Sequence, residues 1–170
     1  SSSLFIQLMR YISSLNIDVP TLKKDYSFKN GVSDFADERI PLIKYLEIEE
    51  EAIRVTGDNC FGLHTGEFAE PGSWSILGYI MMNCNSLEES ILKLQRYSQV
   101  VGNLFKIAIE NKDDTSEIVI STTSGNPVPS RHCLDATLSS FIRIIRNLTG
   151  KQIIPLQVEI AFENPERMDE

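Results

Sequence analysis

The side chains in this sequence that are best suited to chemistry are two histidines and three cysteines. Cys60 and His64 are four positions apart, so on a helix they would share one face. A zinc site needs further ligands at a known spacing, and no nearby cluster of Asp, His or Cys supplies them. His132 directly precedes Cys133, but adjacent residues on a helix point in different directions. The sequence therefore predicts no metal site, no cofactor and no catalytic residue.

A group of glycines raises a second possibility, which is the binding of a phosphate. The glycines are Gly57, Gly62, Gly66, Gly72 and Gly78. Their spacing matches neither a phosphate-binding loop nor a dinucleotide fingerprint. We interpret them as helix ends and turns. The acidic run at residues 47–51 is interpreted in the same way as a solvated face, so it offers no recognisable catalytic pair.

Arginines and aromatic residues inside apolar segments are the remaining candidates for binding. Arg39, Arg96 and Arg131 are flanked by apolar residues, a setting in which arginine pairs with a carboxylate of the protein or of a ligand. Trp74 and Tyr79 lie in an apolar stretch that is typical of either a core or the wall of a pocket. The residues alone leave both interpretations open.

The composition argues against several classes of partner. The net charge is −8, whereas proteins that bind nucleic acid or an anionic membrane surface need clustered Lys and Arg. The most apolar run, residues 76–82, is too short to span a bilayer. Three widely spaced cysteines without a CxxC pair favour a reduced, cytoplasmic setting over a disulfide framework.

The spacing of apolar residues predicts the helices that must position these side chains. Helical periodicity predicts five of them, over residues 3–15, 42–56, 73–82, 87–101 and 134–148. The third is apolar on nearly all sides, which predicts burial. Ser86 and Glu89 form a capping box before the fourth, and Gly57 and Gly150 mark helix ends. Residues 62–67 form either a short helix or an extended piece.

Alternation with a period of two predicts strands in the second half of the chain. Residues 105–109 and 117–122 form a hairpin, and residues 156–162 form a further strand with one buried face. Helices followed by strands predict an α+β fold, in which an antiparallel sheet is packed with helices and the N-terminal half is helix-rich. We divide the chain into an N-terminal helix and linker, residues 1–34, and a domain of residues 35–170.

Five short motifs, taken in order, resemble a known family. They are Arg-x-Pro at 39–41, the Thr-Gly-Asp and Phe-Gly-Leu elements within 56–66, Ile-Leu-Gly-Tyr at 76–79, the segment 87–97 that ends in Arg-Tyr, and residues 146–158 with Leu-Thr-Gly. Their order is similar to that in the N-terminal effector domain of AraC/XylS-type transcription regulators, in the branch often labelled arabinose-binding. The resemblance covers residues 35–170.

The resemblance implies a bacterial, cytoplasmic sensor that binds a small effector, forms a homodimer and controls a helix-turn-helix DNA-binding domain that these 170 residues do not include. The effector would bind in the helix–sheet core and favour one arrangement of the domain. We expect contact with DNA only through the further domain, and no contact with a membrane. The residues expected to border or orient the effector are Arg39, Trp74, Tyr79, Arg96, Tyr97, Phe105 and Arg131.

The dimer interface and the function class each keep an alternative. Dimerisation is assigned to the N-terminal helix or to the helix around residues 134–148, and the second is equally a candidate for core. The residues of its apolar stripe are Leu134, Leu138, Phe141 and Ile145. A ligand-free dimerisation module is the nearest alternative function, and an enclosed, partly polar cavity distinguishes the sensor from it. A small cytoplasmic enzyme is the more distant alternative, because it requires a base and a nucleophile that converge.

Overall fold

The computed structural model describes residues 2–17, 40–101, 104–123 and 129–161, and it has the predicted α+β fold. The described elements, in chain order, are α1 (Ser2–Ser14), α2 (Leu42–Thr56), α3 (Phe61–Gly66), α4 (Ser75–Met82), α5 (Leu87–Val101), β1 (Phe105–Lys112), β2 (Thr115–Thr122) and α6 (Arg131–Thr149). A short 3₁₀ turn, Pro71–Trp74, leads directly into α4. The predicted helices and the predicted hairpin are therefore confirmed.

Helix α1 lies inside the fold rather than on its surface. Every side chain from Leu4 to Met9 is buried, and Phe5, Leu8 and Met9 expose nothing to solvent. The helix packs against α2, α3, the 3₁₀ turn and α6. A helix with so little polar surface is stable only as part of a core. The predicted domain boundary after residue 34 lies outside the described residues.

Two helices end where the capping signals predict. Helix α2 begins directly after Pro41 and ends at Gly57, whose φ of 65° is the left-handed conformation that favours glycine. Helix α6 ends in the same way at Gly150. At the start of α6 the Ser130 hydroxyl accepts a hydrogen bond from the Cys133 amide at 2.9 Å. Local sequence therefore sets the limits of these helices.

The predicted capping box before α5 is present in a modified form. The Glu89 amide donates a hydrogen bond to Ser86 Oγ at 3.1 Å, as predicted. The Glu89 carboxylate accepts from the Asn85 amide at 2.9 Å, one residue earlier than predicted. Both bonds satisfy N–H groups near the start of the helix, where the helix itself supplies no acceptor.

Three of the five glycines are points of close contact between elements. A Cβ added to Gly62 would lie 2.2 Å from the His132 carbonyl oxygen, and one added to Gly66 would lie 2.5 Å from a side-chain atom of the same helix, α6. A Cβ added to Gly78 would lie 1.5 Å from the Pro71 carbonyl oxygen. Gly62 and Gly66 lie at the two ends of α3, as the interpretation predicts, whereas Gly78 lies inside α4, so the interpretation was wrong for Gly78. At all three glycines the elements pack too closely to leave room for a side chain.

The buried apolar side chains form two clusters. The first cluster is built around α1, α2 and α3, and its members include Phe5, Leu8, Tyr45, Ile48 and Phe61. The second cluster is built around α4, α5, β1 and α6, and its members include Trp74, Leu77, Leu94, Ile107 and Ile144. Burial of apolar surface in these clusters is the main favourable contribution to folding.

The hairpin pairs as predicted, but the further strand does not form in the described part of the chain. Strands β1 and β2 are antiparallel, with Ile107 opposite Ile120, and both side chains pack into the second cluster. The apolar residues of the alternating segment 154–160 are instead exposed, by 47% to 89%. The prediction was wrong over residues 156–161, because alternation makes a strand only where a neighbouring edge supplies hydrogen bonds.

Helix α4 is less buried than its apolar sequence predicts. Ile76, Tyr79 and Met82 point to solvent and each exposes more than half of its surface, from 54% to 58%. Only the opposite face, with Leu77 and Met81, packs into the second cluster. The prediction of burial on nearly all sides was therefore wrong, because composition does not tell which face of a helix finds a neighbour. None of the helices in the described ranges combines the length and apolar character needed to cross a bilayer.

The close approach of α3 and α6 makes Gly62 intolerant of a side chain. We expect Gly62→Ala to lower the free energy of unfolding by about 1–3 kcal/mol, because the added methyl group must displace the α6 backbone. Urea denaturation followed by circular dichroism measures the change. Gly72→Ala is the matched control, since a Cβ there meets nothing within 4 Å. Equal losses in the two variants would contradict the close crossing.

Candidate functional site

A cavity of about 100 Å³ lies where the two hydrophobic clusters meet. Leu4 and Phe105 on its wall belong to or pack on the first cluster, whereas Trp74, Leu94 and Ile107 belong to the second. Helix α1, the 3₁₀ turn, α4, α5, β1 and α6 all contribute side chains. The cavity therefore interrupts what would otherwise be a continuous core.

A larger groove, of about 780 Å³, is open to solvent beside α1. Its lining includes Arg10, Glu67, Glu70 and Arg143, and the Arg10 guanidinium lies 2.7 Å from the Glu70 carboxylate. An open groove removes little of a ligand's surface from water, whereas small-molecule sites usually enclose most of it. The smaller cavity is also partly open, but all of its wall residues except Phe105 are buried, so we place the candidate site there.

Gln7 distinguishes the cavity wall from ordinary core. It lies on α1 with no exposed surface, and neither its amide nitrogen nor its amide oxygen has a hydrogen-bond partner among the described residues. A buried polar group without a partner costs about 1–3 kcal/mol, and native proteins contain few of them. Gln7 lines the cavity, so this polar group without a partner lies where the two clusters meet.

The hydroxyl groups of three other wall residues have already used their hydrogens. Thr137 and Ser140 donate to carbonyl oxygens of their own helix, α6, at 2.8 and 2.9 Å. Ser98 donates to a carbonyl oxygen of α5 at 3.3 Å. Each hydroxyl oxygen can still accept a hydrogen bond but has no hydrogen left to donate. Among these four side chains, the Gln7 amide is therefore the group that can donate to a ligand. Ser3 on α1 adds a further hydroxyl group to the wall.

Two of the predicted ligand-binding residues line the cavity. Trp74 is 9% exposed and its ring centre lies 6.1 Å from that of Phe141, and Phe105 is half-buried at the start of β1. Trp74 is the chain's single tryptophan, so its fluorescence reports on the cavity directly. Arg39, which was also predicted, lies outside the described residues.

The other four predicted residues are not part of this wall. Tyr79 is 58% exposed on α4. Arg96 and Tyr97 are exposed on α5, where the guanidinium carbon lies 5.4 Å from the ring centre in a cation–π contact. Arg131 lies 3.3 Å from Asp135 in an ion pair within α6. The structure therefore brings Trp74 and Phe105 together and leaves these four elsewhere.

The polar residues of the wall were missed by sequence reasoning. Gln7 did leave a signal, because it interrupts an otherwise apolar run on α1 from Leu4 to Met9. A polar residue at a core position is informative, since it needs a partner there. Ser98 and Ser140 left no comparable signal, because serine is commonly buried in helices by bonding to the helix's own carbonyl groups.

The stripe predicted for dimerisation is divided between core and partly exposed positions. Phe141 and Ile145 are 4% exposed and belong to the second cluster. Leu134 and Leu138 are half-buried and belong to neither cluster of the described core. The N-terminal end of the stripe on α6 is therefore the part that keeps accessible apolar surface.

A hydrogen-bonded cluster of three side chains holds α1 against the loop that follows α2. The Tyr11 hydroxyl donates to Asp58 Oδ2 at 2.7 Å, and His64 Nδ1 lies 2.7 Å from the same oxygen. Burial raises the pKa of Asp58, but the hydrogen bonds to His64 and Tyr11 outweigh it and bring the pKa below its usual value. Burial, together with the bond to Asp58, raises the pKa of Tyr11 to about 12. At neutral pH the cluster therefore contains an ionised Asp58 and a neutral Tyr11.

The histidines and cysteines do not converge on a chemical site. Cys60 directly precedes α3, and His64 contacts Asp58 instead. Cys133 is fully buried, and burial raises the pKa of its thiol far above the usual value, so the thiol is neutral at pH 7. Burial lowers the pKa of His132. In the part of the chain that the structure describes, no three His, Cys, Asp or Glu side chains are arranged to hold a metal ion.

The Tyr11–Asp58–His64 cluster makes stability depend on pH. We expect Asp58→Asn to lower the free energy of unfolding at pH 7 by about 1–3 kcal/mol, because a charged acceptor of two hydrogen bonds is lost. The folded pKa of Asp58 lies below the unfolded one, so the stabilisation is complete above the unfolded pKa and is lost as the pH falls through the folded pKa. Urea titrations from neutral to acid pH measure the difference.

The matched control is Asp113→Asn, in the exposed turn between β1 and β2. This substitution should change stability little at any pH. A difference between the wild type and Asp58→Asn that stays constant into strong acid would show that the charge of Asp58 is not the cause.

The chain matches the family model described as the arabinose-binding domain of AraC transcription regulator, N-terminal, over residues 29–170. No match to a curated protein was found. The matched residues include α2 to α6 and the hairpin, whereas α1 precedes them. This family consists of regulatory ligand-binding domains and is not a family of enzymes. The match covers most of the residues of this chain. The chain therefore belongs to the arabinose-binding family of N-terminal domains of AraC-type transcription regulators.

Proposed function

We propose that this chain is the sensor domain of a transcription regulator, which binds a small effector in the cavity between the two hydrophobic clusters and thereby controls an attached DNA-binding domain. The observation that carries the proposal is Gln7, a fully buried amide on the cavity wall without a partner among the described residues. An apolar cavity with a few polar groups that fix orientation is the usual form of a small-molecule site. Membership of a family of regulatory ligand-binding domains supports the same function.

The effector acts through the packing of helices around the cavity. Gln7 on α1, Leu94 on α5 and Thr137 on α6 all line the cavity, so a bound molecule contacts three helices at once. A ligand shifts a conformational equilibrium only by the difference between its affinities for the two states. The arrangement in which these helices close on the effector is therefore the one that binding favours, and the attached domain follows the position of the helices.

Contact with DNA belongs to the attached domain in this proposal. The net charge of −8 repels the phosphate backbone, so these residues are poorly suited to bind DNA themselves. A bacterial regulator that acts on the chromosome works in the cytoplasm. The domain thus supplies the response to the effector, and its partner domain supplies the choice of operator.

The two alternative functions have less support. An enzyme needs a base and a nucleophile that converge on the substrate, but the described cavity wall carries amide, hydroxyl and apolar side chains without a titratable group. We therefore propose that the domain is not an enzyme. A ligand-free dimerisation module gains nothing from a buried amide without a partner, because such a group only lowers stability.

Native mass spectrometry of the purified chain tests the effector site. We expect a small excess mass that is released on denaturation. Ser140→Leu should reduce the bound fraction by about tenfold or more, because the longer side chain occupies the cavity. Gln95→Leu, at an exposed position of α5, is the matched control and should retain the ligand.

Two results would contradict this proposal. In the first, Ser140→Leu stays folded by circular dichroism and carries the same mass as the wild type. In the second, the wild type carries no excess mass, and the fluorescence of Trp74 does not respond when an extract of the source cells is added.

We also propose that the domain forms a homodimer through the partly exposed stripe of α6. Leu134 and Leu138 keep accessible apolar surface, while Phe141 and Ile145 continue the same stripe into the second cluster. An interface core of this kind excludes water around apolar side chains. The two leucines would therefore face the same two leucines of a second copy around a twofold axis.

The dimer proposal predicts a change in association for Leu138→Lys. We expect the dimer dissociation constant, measured by sedimentation velocity, to rise by about tenfold or more, because the lysine charge loses its water in the interface. Ile43→Lys, at a position of α2 that is 62% exposed, is the control and should leave the constant unchanged. A monomeric wild type at all concentrations, or equal effects of the two variants, would rule out this interface.

A further inference from the structure

We infer that the ligand of the cavity is an uncharged, mostly apolar molecule with one group that both donates and accepts hydrogen bonds, such as a carboxamide or a lactam. Gln7 is the residue that determines this specificity. The inference rests on the proposed function, because it names the class of effector that the same cavity binds. It differs from the expectation that an arginine fixes a carboxylate.

The electrostatics of the wall select against charged ligands. Within the described part of the chain, no charged side chain lines the cavity. Arg131 pairs with Asp135 at 3.3 Å on α6, and Arg10 pairs with Glu70 at 2.7 Å beside the outer groove. A carboxylate or ammonium group in the cavity would be buried without a counter-ion, which is strongly unfavourable. Neutral molecules do not meet this barrier.

The Gln7 amide is best matched by a ligand group that both donates and accepts hydrogen bonds. Its nitrogen carries two N–H donors and its oxygen is an acceptor, and neither atom has a partner in the described residues. A carboxamide or a lactam can bind both atoms together through two antiparallel hydrogen bonds. If the nitrogen and oxygen of the Gln7 amide change places, the amide of the ligand rotates by half a turn and makes the same two hydrogen bonds.

The rest of the wall is unsuited to a sugar. A pentose carries a hydroxyl group on most of its carbons, and each hydroxyl that is buried needs a hydrogen-bond partner. The wall has four hydroxyl groups, whereas all its other residues except Gln7 and Trp74 are purely hydrocarbon; the hydroxyl groups are those of Ser3, Ser98, Thr137 and Ser140. Several hydroxyls of a pentose would therefore lose water without replacement. The arabinose of the family description does not fit the chemistry of this cavity.

The size of the cavity favours a ligand built on a single small ring or a short branched chain. Its volume is about 100 Å³, somewhat less than the apolar cavity of about 150 Å³ that holds a benzene molecule, and its open side leaves room for one end of the ligand. Apolar wall residues such as Trp74 and Phe105 can pack against the ring, while Gln7 binds the polar group.

Three probes with a common ring separate these requirements. They are 4-fluorobenzamide, 4-fluorobenzoate and 4-fluorotoluene, which differ only in whether the substituent is a neutral amide, an anion or a methyl group. Fluorine NMR of the probes gives each dissociation constant. The emission of Trp74 locates the probe, because this residue is the single tryptophan and lines the cavity.

We expect 4-fluorobenzamide to bind the wild type about tenfold or more tightly than 4-fluorobenzoate. Gln7→Leu should weaken binding of the amide by about tenfold and strengthen binding of 4-fluorotoluene, because the leucine side chain removes the buried amide at similar volume. The same variant should melt at a temperature equal to or above that of the wild type. Gln95→Leu, on the exposed face of α5, is the matched control and should preserve the order of the three probes.

Each other outcome overturns the inference in a recognisable way. If 4-fluorobenzoate binds as tightly as 4-fluorobenzamide, the uncharged wall does not select against anions. If 4-fluorobenzamide binds Gln7→Leu as tightly as the wild type, Gln7 does not determine the specificity. If Gln7→Leu fails to fold, Gln7→Met takes its place. If no probe binds but Ser140→Leu abolishes the native excess mass, the ligand class is wrong and the cavity remains the effector site. If both experiments fail, the proposed function fails with the inference.

Discussion

The burial of α1 between other elements is the constraint on which the rest of this structure depends. The helix places Phe5, Leu8 and Met9 in the first cluster and completes it. On another side it supplies Leu4 and Gln7 to the cavity, where the second cluster begins. Its outer end is held by Tyr11 through Asp58 and by Arg10 through Glu70. Because one helix serves the core, the cavity wall and these polar contacts, its displacement would change all three together.

Buried polar groups elsewhere in the described fold mostly have hydrogen-bond partners, whereas Gln7 does not. Glu49 is 2% exposed, so the interpretation of residues 47–51 as a solvated face was wrong for this residue. Its carboxylate accepts hydrogen bonds from the hydroxyls of Tyr45 and Ser130 and so joins α2 to the start of α6. Thr65 Oγ1 is another buried atom without a partner in the described residues, but Thr65 does not line the cavity. The chain can therefore satisfy even a buried carboxyl group, and the amide that it leaves open is the one beside a cavity.

The sequence predicted those features that depend on neighbours along the chain. The glycine at the end of α2, the Ser86 cap of α5 and the presence of the hairpin all follow from local geometry and were confirmed. Features that depend on distant elements were missed or wrong. The close approach of α6 to Gly62 was missed. The alternating residues after α6 were predicted as a strand, but the described part of the chain offers them no neighbouring edge.

Sequence reasoning likewise found only some of the residues of the candidate site. Trp74 and Phe105 were predicted because aromatic residues in apolar segments commonly line pockets, and the structure places both on the cavity wall. Arginines drew attention because of their charge, yet Arg96 lies at the surface and Arg131 is paired within its own helix. The wall depends instead on Gln7 and on hydroxyl groups, whose importance is set by which helices meet there and not by the residues beside them in sequence.

The uncharged wall of the cavity affects how ligand binding would depend on salt and pH. Attraction between exposed charges weakens as salt is added, since the screening length in physiological salt is only about 8 Å. Groups that titrate near neutral pH likewise change their interactions as protons are gained or lost. Hydrocarbon, amide and hydroxyl groups respond to neither condition. In the proposed sensor, the direct contacts between this wall and a neutral ligand therefore change little with ionic strength or acidity, and pH acts on the site only through the Asp58 cluster that holds α1.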